Sequence, residues 1–438
     1  MQTEVTMCYA IPGRVEAMDD RYVTVDYFGE KKRAINELPG LHIGDFIYAQ
    51  GGFVIQALPE QEARSILSVW KETFFELQEM DLRLSRLDME DRGVNKKTLR
   101  ILDKAAESRA LSDDELYHLL TLENEHERAM LYKTANFLRR KHLGNSCCVH
   151  GIIEFSSYCA RNCFYCGIST HNKKLTRYRM TDGEIYAAVD EAVETHGFQA
   201  LVLQSGEDPE FPVPRLAELI REIKRRHPCL IFVSVGEVGI DGLRELYDAG
   251  ARGVLLRFET SNPELYQNLH PGFTLDSRIA HLKAAYEMGY LIITGGLIGV
   301  PGQTKRDMLN DILLARELHS EMYSFGPFIP HPGTPLADRS VAPVEEILNT
   351  LAVARAADPD NAKILVTTSF ETADPQAREK GLMAGANSVM LNVTPERFRE
   401  CYEIYPNRAH LHESIPVQIE TTLNLLRGLG RAPTDLGV

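Results

Sequence analysis

From Tyr9 to Ala57 the chain runs in short stretches where apolar and polar positions alternate, YAIPGRVEAM, YVTVDYFG, KKRAINEL and GDFIYAQGGFVIQAL, broken by Gly, Asp and Pro. A period of two sends successive side chains to opposite faces of a strand, so these runs predict a small β-barrel of the OB-like kind. The period then changes. After Pro59, residues Ala63, Ile66, Leu67, Trp70 and Phe74 recur three and four apart, the stripe of an amphipathic helix. The charge-rich stretch from Asp81 to Lys97 predicts a polar linker, and helical stripes return from Leu99 to Arg140, where Ser112 and Glu115 are spaced for a capping box.

Beyond Cys147 apolar β-like runs alternate with helical stretches. VHGIIEFS, ALVLQSG, LIFVSVGE, GVLLRFE, LIITGGLIG, MYSFGPFI, KILVTTSF and NSVMLNV are eight strand candidates, and eight parallel strands with helices between them predict an α/β fold, a TIM-type (β/α)8 barrel. The expected division is 1–80 for the small barrel and its C-terminal helix, 81–145 for a helical linker and leading helices, and 146–438 for the large barrel. Function in such barrels gathers at the C-terminal ends of the strands. Those ends read SSYC, QSGED, GE, RFET, GVPG, PFIPHPG, TTSF and NVTP, rich in polar residues and glycine.

Composition narrows the functions. The formal net charge is -14, with 62 acidic against 48 basic residues, a field that repels phosphate backbones and speaks against a nucleic-acid partner. The start of the chain lacks the basic and apolar regions of a signal peptide, and no apolar run approaches membrane-spanning length, so a cytoplasmic protein with no membrane partner is expected. Eight cysteines are too few for a disulfide framework in a chain of 438 residues, whereas three of them crowd between Cys159 and Cys166. That crowding points to metal chemistry.

Cys159, Cys163 and Cys166 follow the first large-barrel strand in the loop CARNCFYCGI. Three thiolates on one loop can each bind one iron of a cubane cluster and leave the fourth iron open. The alternative is a structural zinc site completed by His150 or His171, although the second cysteine pair usual in such sites is missing. The loop resembles the signature of the radical S-adenosylmethionine (SAM) superfamily. That resemblance implies one 4Fe-4S cluster on these cysteines, SAM on its open iron, and a 5'-deoxyadenosyl radical as the reactive species. QSGED, with Ser205, Gly206, Glu207 and Asp208, resembles the superfamily's turn for the methionine ammonium. Tyr165, inside the motif, joins the cofactor-binding candidates. Arg257 and Glu259 alternate on the fourth strand, which aims one at a carboxylate and the other at an ammonium, and Arg278 is a further carboxylate candidate. Salt bridges in the barrel core are the competing explanation of these charges. GVPGQT, Gly299 to Thr304, lacks the lysine of a phosphate loop and is expected to be an adenine-contacting turn.

From about Leu99 onward the chain resembles the HydE family of FeFe-hydrogenase maturases, through EFSSYCARNCFYCGI, KKLTRYRMT, VLQSGEDP, GPFIPHPGTPLA and TTSF. The resemblance implies radical attack on an iron-bound cysteine or a related organometallic iron substrate made by a partner maturase. It also implies that Thr367, Thr368 and Ser369 line the inner cavity, with Met390, Tyr402 and Tyr405 deeper or opposite. Thr hydroxyls at a strand end can equally stabilise the fold. Only Cys401 lies near the C-terminus, so no auxiliary cluster is expected; Cys147, Cys148 and Cys229 flank strand starts and read as apolar packing residues, which disfavours a biotin synthase. Methylornithine synthase, a mutase, and a noncatalytic iron scaffold are the alternatives. From Met7 to about Met80 the chain resembles HypC, the small NiFe-hydrogenase maturation chaperone, through MCYAIPGRV, GDFIYAQGGFVIQAL and EARSIL. That resemblance implies an iron-carrying Cys8 and hydrogenase maturation proteins as partners, although Gln50 stands where a histidine often precedes the GF turn.

Overall fold

A computed structural model describes residues 9–88 and 93–436; Cys8 lies outside the described residues. Strands β1 (Gly13–Met18), β2 (Tyr22–Tyr27), β3 (Glu30–Ile35), β4 (Phe46–Gln50) and β5 (Phe53–Leu58) close into the small barrel in the order β1-β2-β3-β5-β4. The alternation predicted it: Val23, Val25 and Tyr27 of β2 all turn inward. Helix α1 (Glu60–Leu84) follows, with Phe74 and Leu77 packed on the small barrel.

The first residue of the stretch expected to be a polar linker is instead an anchor within the helix. Asp81, within α1, is buried and accepts hydrogen bonds from both terminal nitrogens of Arg139 at 2.7 and 2.8 Å, with Arg431 3.3 Å away. Charge in a sequence reads as solvated surface, and only the fold reveals that this carboxylate has cationic partners far along the chain. Helices α2 (Lys96–Ala106), α3 (Asp113–Leu120) and α4 (Glu125–Leu143) form the leading layer, and Ser112 and Glu115 make the expected reciprocal cap of α3.

The large domain then alternates strand and helix: β6 (Ser146–Ser156), α5 (Asp182–Asp190), β7 (Ala200–Ser205), α6 (Val213–Arg226), β8 (Leu230–Ser234), α7 (Ile240–Asp248) and β9 (Gly253–Leu255). Next come α8 (Pro263–Leu269), α9 (Leu275–Glu287), β10 (Leu291–Thr294), β11 (Leu297–Ile298), α10 (Lys305–Glu317), β12 (Met322–Tyr323), β13 (Gly326–Pro327) and α11 (Val344–Ala357). The chain finishes with β14 (Lys363–Ile364), α12 (Thr368–Ala373), α13 (Ala377–Met383), β15 (Ser388–Asn392), α14 (Glu396–Arg399), α15 (Ile415–Gly428) and β16 (Ala432–Pro433). Eight strands run parallel in the order β14-β12-β10-β9-β8-β7-β6-β15, and a parallel bridge from Leu365 to Ser388 draws the two edges together. This is the expected barrel. Among the described residues no helix is long and apolar enough to cross a membrane.

Two strands end sooner than expected. β9 stops at Leu255, before Arg257 and Glu259, and β14 stops at Ile364, so TTSF enters α12 with Thr367 as its N-cap. β-branched residues read as strand in a sequence, but a Thr hydroxyl also caps a helix, and here it accepts from the Phe370 N–H.

The small barrel caps the floor of the large one. Phe53 of β5 packs in the same buried cluster as Cys148, Leu230, Phe232 and Leu291, inside the N-terminal ends of the parallel strands. Gly51, at φ +53°, lets the preceding turn approach: a Cβ there would sit 2.6 Å from the Leu230 side chain. Gln50 is fully buried and donates to the Gln199 side chain, while Arg252 pairs with Glu37 at 2.9 Å.

Candidate active site

The loop after β6 carries Cys159, Cys163 and Cys166 over a cavity of about 320 Å³ at the C-terminal end of the barrel. Ile152, Leu255, Leu365 and Met390 line this cavity and also pack on the barrel's inner apolar cluster, so they form its floor. Cys159 Sγ accepts from the backbone N–H groups of Arg161 and Glu207, both at 3.4 Å. Gly206 makes that approach possible, because a Cβ would lie 2.3 Å from the Tyr158 carbonyl and 2.6 Å from Cys159 Cβ.

The donor set fits an iron cluster. Burial pushes the Cys163 thiol well above its usual range, with its neighbours Cys166 and Cys159 adding to the effect, and burial pushes Cys166 up to about 12. Thiolates gathered so closely need a cationic centre to offset them. A single ion is a poor match, since among the described residues the one group of three Cys, His, Asp or Glu ligand atoms within 4.8 Å of one another is Cys148, His150 and Asp435, not the loop cysteines.

Charges line the wall next to the loop. Arg257 donates to the Gly296 carbonyl at 2.6 Å and lies 3.2 Å from Glu259, an ion pair without hydrogen-bond alignment. Glu259 holds a left-handed backbone, φ +66°. Strand alternation therefore does not place these two side chains; the turn after β9 does. The Tyr165 hydroxyl lies 3.2 Å from Glu259 Oε1 and 3.1 Å from His270 Nε2. Burial holds His270 down at about 3, so the ring is neutral, and its Nδ1 faces the Tyr266 carbonyl at 3.1 Å. Glu259 Oε2, Arg257 Nε and Arg161 Nη1 are buried with no hydrogen-bond partner, an acceptor and two donors that suit the ammonium and carboxylate of an amino-acid zwitterion.

The remaining sequence candidates divide. Ser205, Gly206, Glu207 and Arg278 line the cavity, although Glu207 is engaged by Arg161 at 2.6 Å and Arg278 by Glu237 at 2.7 Å. Asp208 is not part of the lining: Arg179 grips it at 2.7 and 2.9 Å and the Ser156 hydroxyl donates to it at 2.5 Å, which makes it a brace between β6 and β7. The turn from Gly299 to Thr304 does not reach the cavity either; Gln303 closes it by accepting from the Gly299 N–H, and Val300 joins an apolar cluster against which Tyr165 packs. Thr367, Thr368, Ser369, Tyr402 and Tyr405 are all in the lining, with the Thr367 and Ser369 hydroxyls 3.0 Å apart.

Sequence reasoning missed Arg161, His270, Glu154, Asn392 and Arg408. Arg408 clasps Glu154 through both terminal nitrogens, one at 3.1 Å, and Asn392 donates to the same carboxylate at 2.9 Å. A Glu inside the apolar run VHGIIEFS was a usable signal, because it sits on the inward face of β6. Arg408 gave none, being a loop residue whose partner is 254 positions away.

Comparison with known proteins agrees with this geometry. The Radical SAM superfamily matches residues 153–315, the HupF/HypC family residues 7–70, and the Biotin and Thiamin Synthesis associated domain residues 324–416. The [FeFe] hydrogenase maturase subunit HydE of Thermotoga maritima is 37% identical over 76% of this chain and 94% of its own length. 3-Methylornithine synthase of Methanosarcina acetivorans is 29% identical over 76% and 93%. The crystal structure of methylornithine synthase (PylB) superposes with a TM-score of 0.68 at 27% identity, covering 76% of this chain and 97% of that one. With so close a relative matched over almost its whole length, the chain belongs to the HydE family of radical SAM enzymes and carries a HupF/HypC family domain ahead of its barrel.

Proposed function

We propose that this enzyme is a hydrogenase maturase that cleaves SAM reductively and acts on an iron-bound cysteine or a related organometallic precursor of a hydrogenase cofactor. The observation that carries the reading is the joining of two hydrogenase-maturation families in one chain, the HypC-like barrel being seated on the HydE-like one. Cys159, Cys163 and Cys166 are the proposed ligands of the one 4Fe-4S cluster. When bound, that cluster supplies the electron that splits SAM into methionine and a 5'-deoxyadenosyl radical. Glu259 and Arg257 receive the methionine ammonium and carboxylate, Tyr165 orients Glu259, and Ser205 to Glu207 pass close beside the cysteine loop. Thr367, Thr368, Ser369, Tyr402 and Tyr405 offer hydroxyls to a polar substrate, while the apolar floor keeps water from the reacting atoms.

Arg257→Ala is expected to weaken SAM binding about tenfold or more in anaerobic calorimetry, one hydrogen bond to a charged group being worth roughly 1.5–3 kcal/mol. Unchanged affinity would return Arg257 to a structural role. The substrate reading is tested by turnover with a synthetic cysteine-bound iron carrying carbonyl and cyanide ligands. Their infrared bands should stay with the protein, and maturation in cells should fall in Cys8→Ser while SAM cleavage persists, Cys8 being the proposed carrier thiol. Conversion of lysine to methylornithine, with no response to the iron compound, would favour the mutase instead.

A further inference from the structure

The floor of the large barrel holds a polar cluster that the cavity chemistry does not use. Cys148 and His150 stand two residues apart on β6 and so share its inward face, and Asp435 follows β16, which runs beside β6 through the pairs Ala432–Ser146 and Pro433–Cys147. One ligand atom from each lies within 4.8 Å of the other two, and all three residues are buried. His150 Nε2 is 3.3 Å from Asp435 Oδ2, and its other ring nitrogen, Nδ1, is buried with no hydrogen-bond partner. Asp435 Oδ2 also accepts from the Thr434 hydroxyl at 2.5 Å, and Lys363, paired with Glu321, adds positive charge beside it that helps keep the carboxylate ionised.

We infer that Cys148, His150 and Asp435 bind one divalent first-row transition ion, of the zinc or ferrous class, beneath the barrel floor. One thiolate, one imidazole and one carboxylate are the ligands such borderline ions take. The charge also balances: a dication with one thiolate and one carboxylate is neutral, the form of an ion that an apolar surrounding tolerates. Binding displaces the Cys148 thiol proton without any change of oxidation state, so no oxidant or reductant is needed. The Phe232 ring lies tilted against His150 with ring centroids 5.0 Å apart and helps fix the imidazole.

The site lies where the two domains meet. Phe53 of the small barrel packs in the same cluster as Cys148, Gln50 bonds to Gln199, and the Gln199 N–H donates to the Asp435 carbonyl at 2.8 Å. At the other side the Ala10 N–H donates to the Pro433 carbonyl at 3.3 Å. An ion here ties β6, the C-terminal strand and the docked small barrel together, apart from the cluster-bearing loop at the opposite end of the barrel.

The test uses the full chain with Cys8, Cys159, Cys163 and Cys166 replaced by Ala, so that neither the cluster nor the proposed carrier thiol competes, produced with Co2+ as the spectroscopic probe. The expected result is about one Co2+ per chain, a thiolate-to-cobalt charge-transfer absorption, and one sulfur among the metal's neighbours in X-ray absorption. Competition with Zn2+ and with Fe2+ in separate titrations shows which ion the site prefers. The absorption should fall by about tenfold or more in Cys148→Ala and His150→Gln, and persist in Cys147→Ala, whose side chain packs outside the barrel. Less than about a tenth of an equivalent of Co2+, no sulfur or two sulfurs around it, or undiminished absorption in Cys148→Ala would overturn the inference. The sulfur count is read on a chain that keeps all three ligands, so it decides the matter even if the floor variants fail to fold.

Discussion

Cys163→Ala is expected to leave anaerobically reconstituted protein without its SAM-responsive iron signal and to lower SAM cleavage to background. Three thiolates are the fewest that hold a cubane with one iron open, and removing one leaves two irons without protein ligands. Burial and two neighbouring thiols raise the proton affinity of Cys163 above the ordinary range, so its thiolate form calls for a cationic centre beside it. Iron analysis, the electron paramagnetic spectrum with and without SAM, and 5'-deoxyadenosine formation check the outcome. Full iron content together with an unchanged SAM-dependent spectrum would remove the basis of the cluster assignment.

Asp81→Asn is expected to produce the largest loss of stability, on the order of 3–5 kcal/mol, with little change at the cysteine loop. The carboxylate is 1% exposed and faces Arg139, which is fully buried, as well as Arg431 and Arg140. The amide keeps the shape and removes the charge, leaving guanidinium groups in an apolar setting without an anion. Chemical denaturation followed by both far-ultraviolet dichroism and fluorescence gives the shift in midpoint and shows whether the two barrels still unfold together. Adding Arg139→Leu should recover part of the loss, since one of the uncompensated guanidinium groups is then gone while Arg431 remains. A change below about 1 kcal/mol for Asp81→Asn would mean that water reaches the cluster and screens it.

The barrels were legible because their signal is periodic. Val23, Val25 and Tyr27 announce the inward face of β2, and the eight apolar runs announce the parallel strands whose ends hold the cavity. The cysteine loop was legible because its three thiols are adjacent in sequence. What stayed hidden depends on distant residues meeting. Asp81 looked like part of a solvated linker until Arg139 and Arg431 closed on it, and Arg408 looked like any loop arginine until it found Glu154. Asp208 misled for the opposite reason: it adjoins Glu207 in the QSGED turn, yet the neighbouring position points to Arg179 rather than to the cavity. Thr367 shows a third kind of gap, in which one side chain serves two geometries and the sequence alone favoured strand over cap.

The seating of Phe53 in the barrel floor also bears on how the chain is made. The small barrel leaves the ribosome first, while partners of Phe53 such as Leu230, Leu291 and Leu365 lie far downstream. At about 5–20 residues per second, the nascent protein waits tens of seconds with that aromatic face uncovered. Its contacts are among the most distant in sequence that the fold must close, and contacts of that kind form late. The same ring that completes the mature enzyme is therefore, during synthesis, an apolar surface that waits uncovered for its downstream partners.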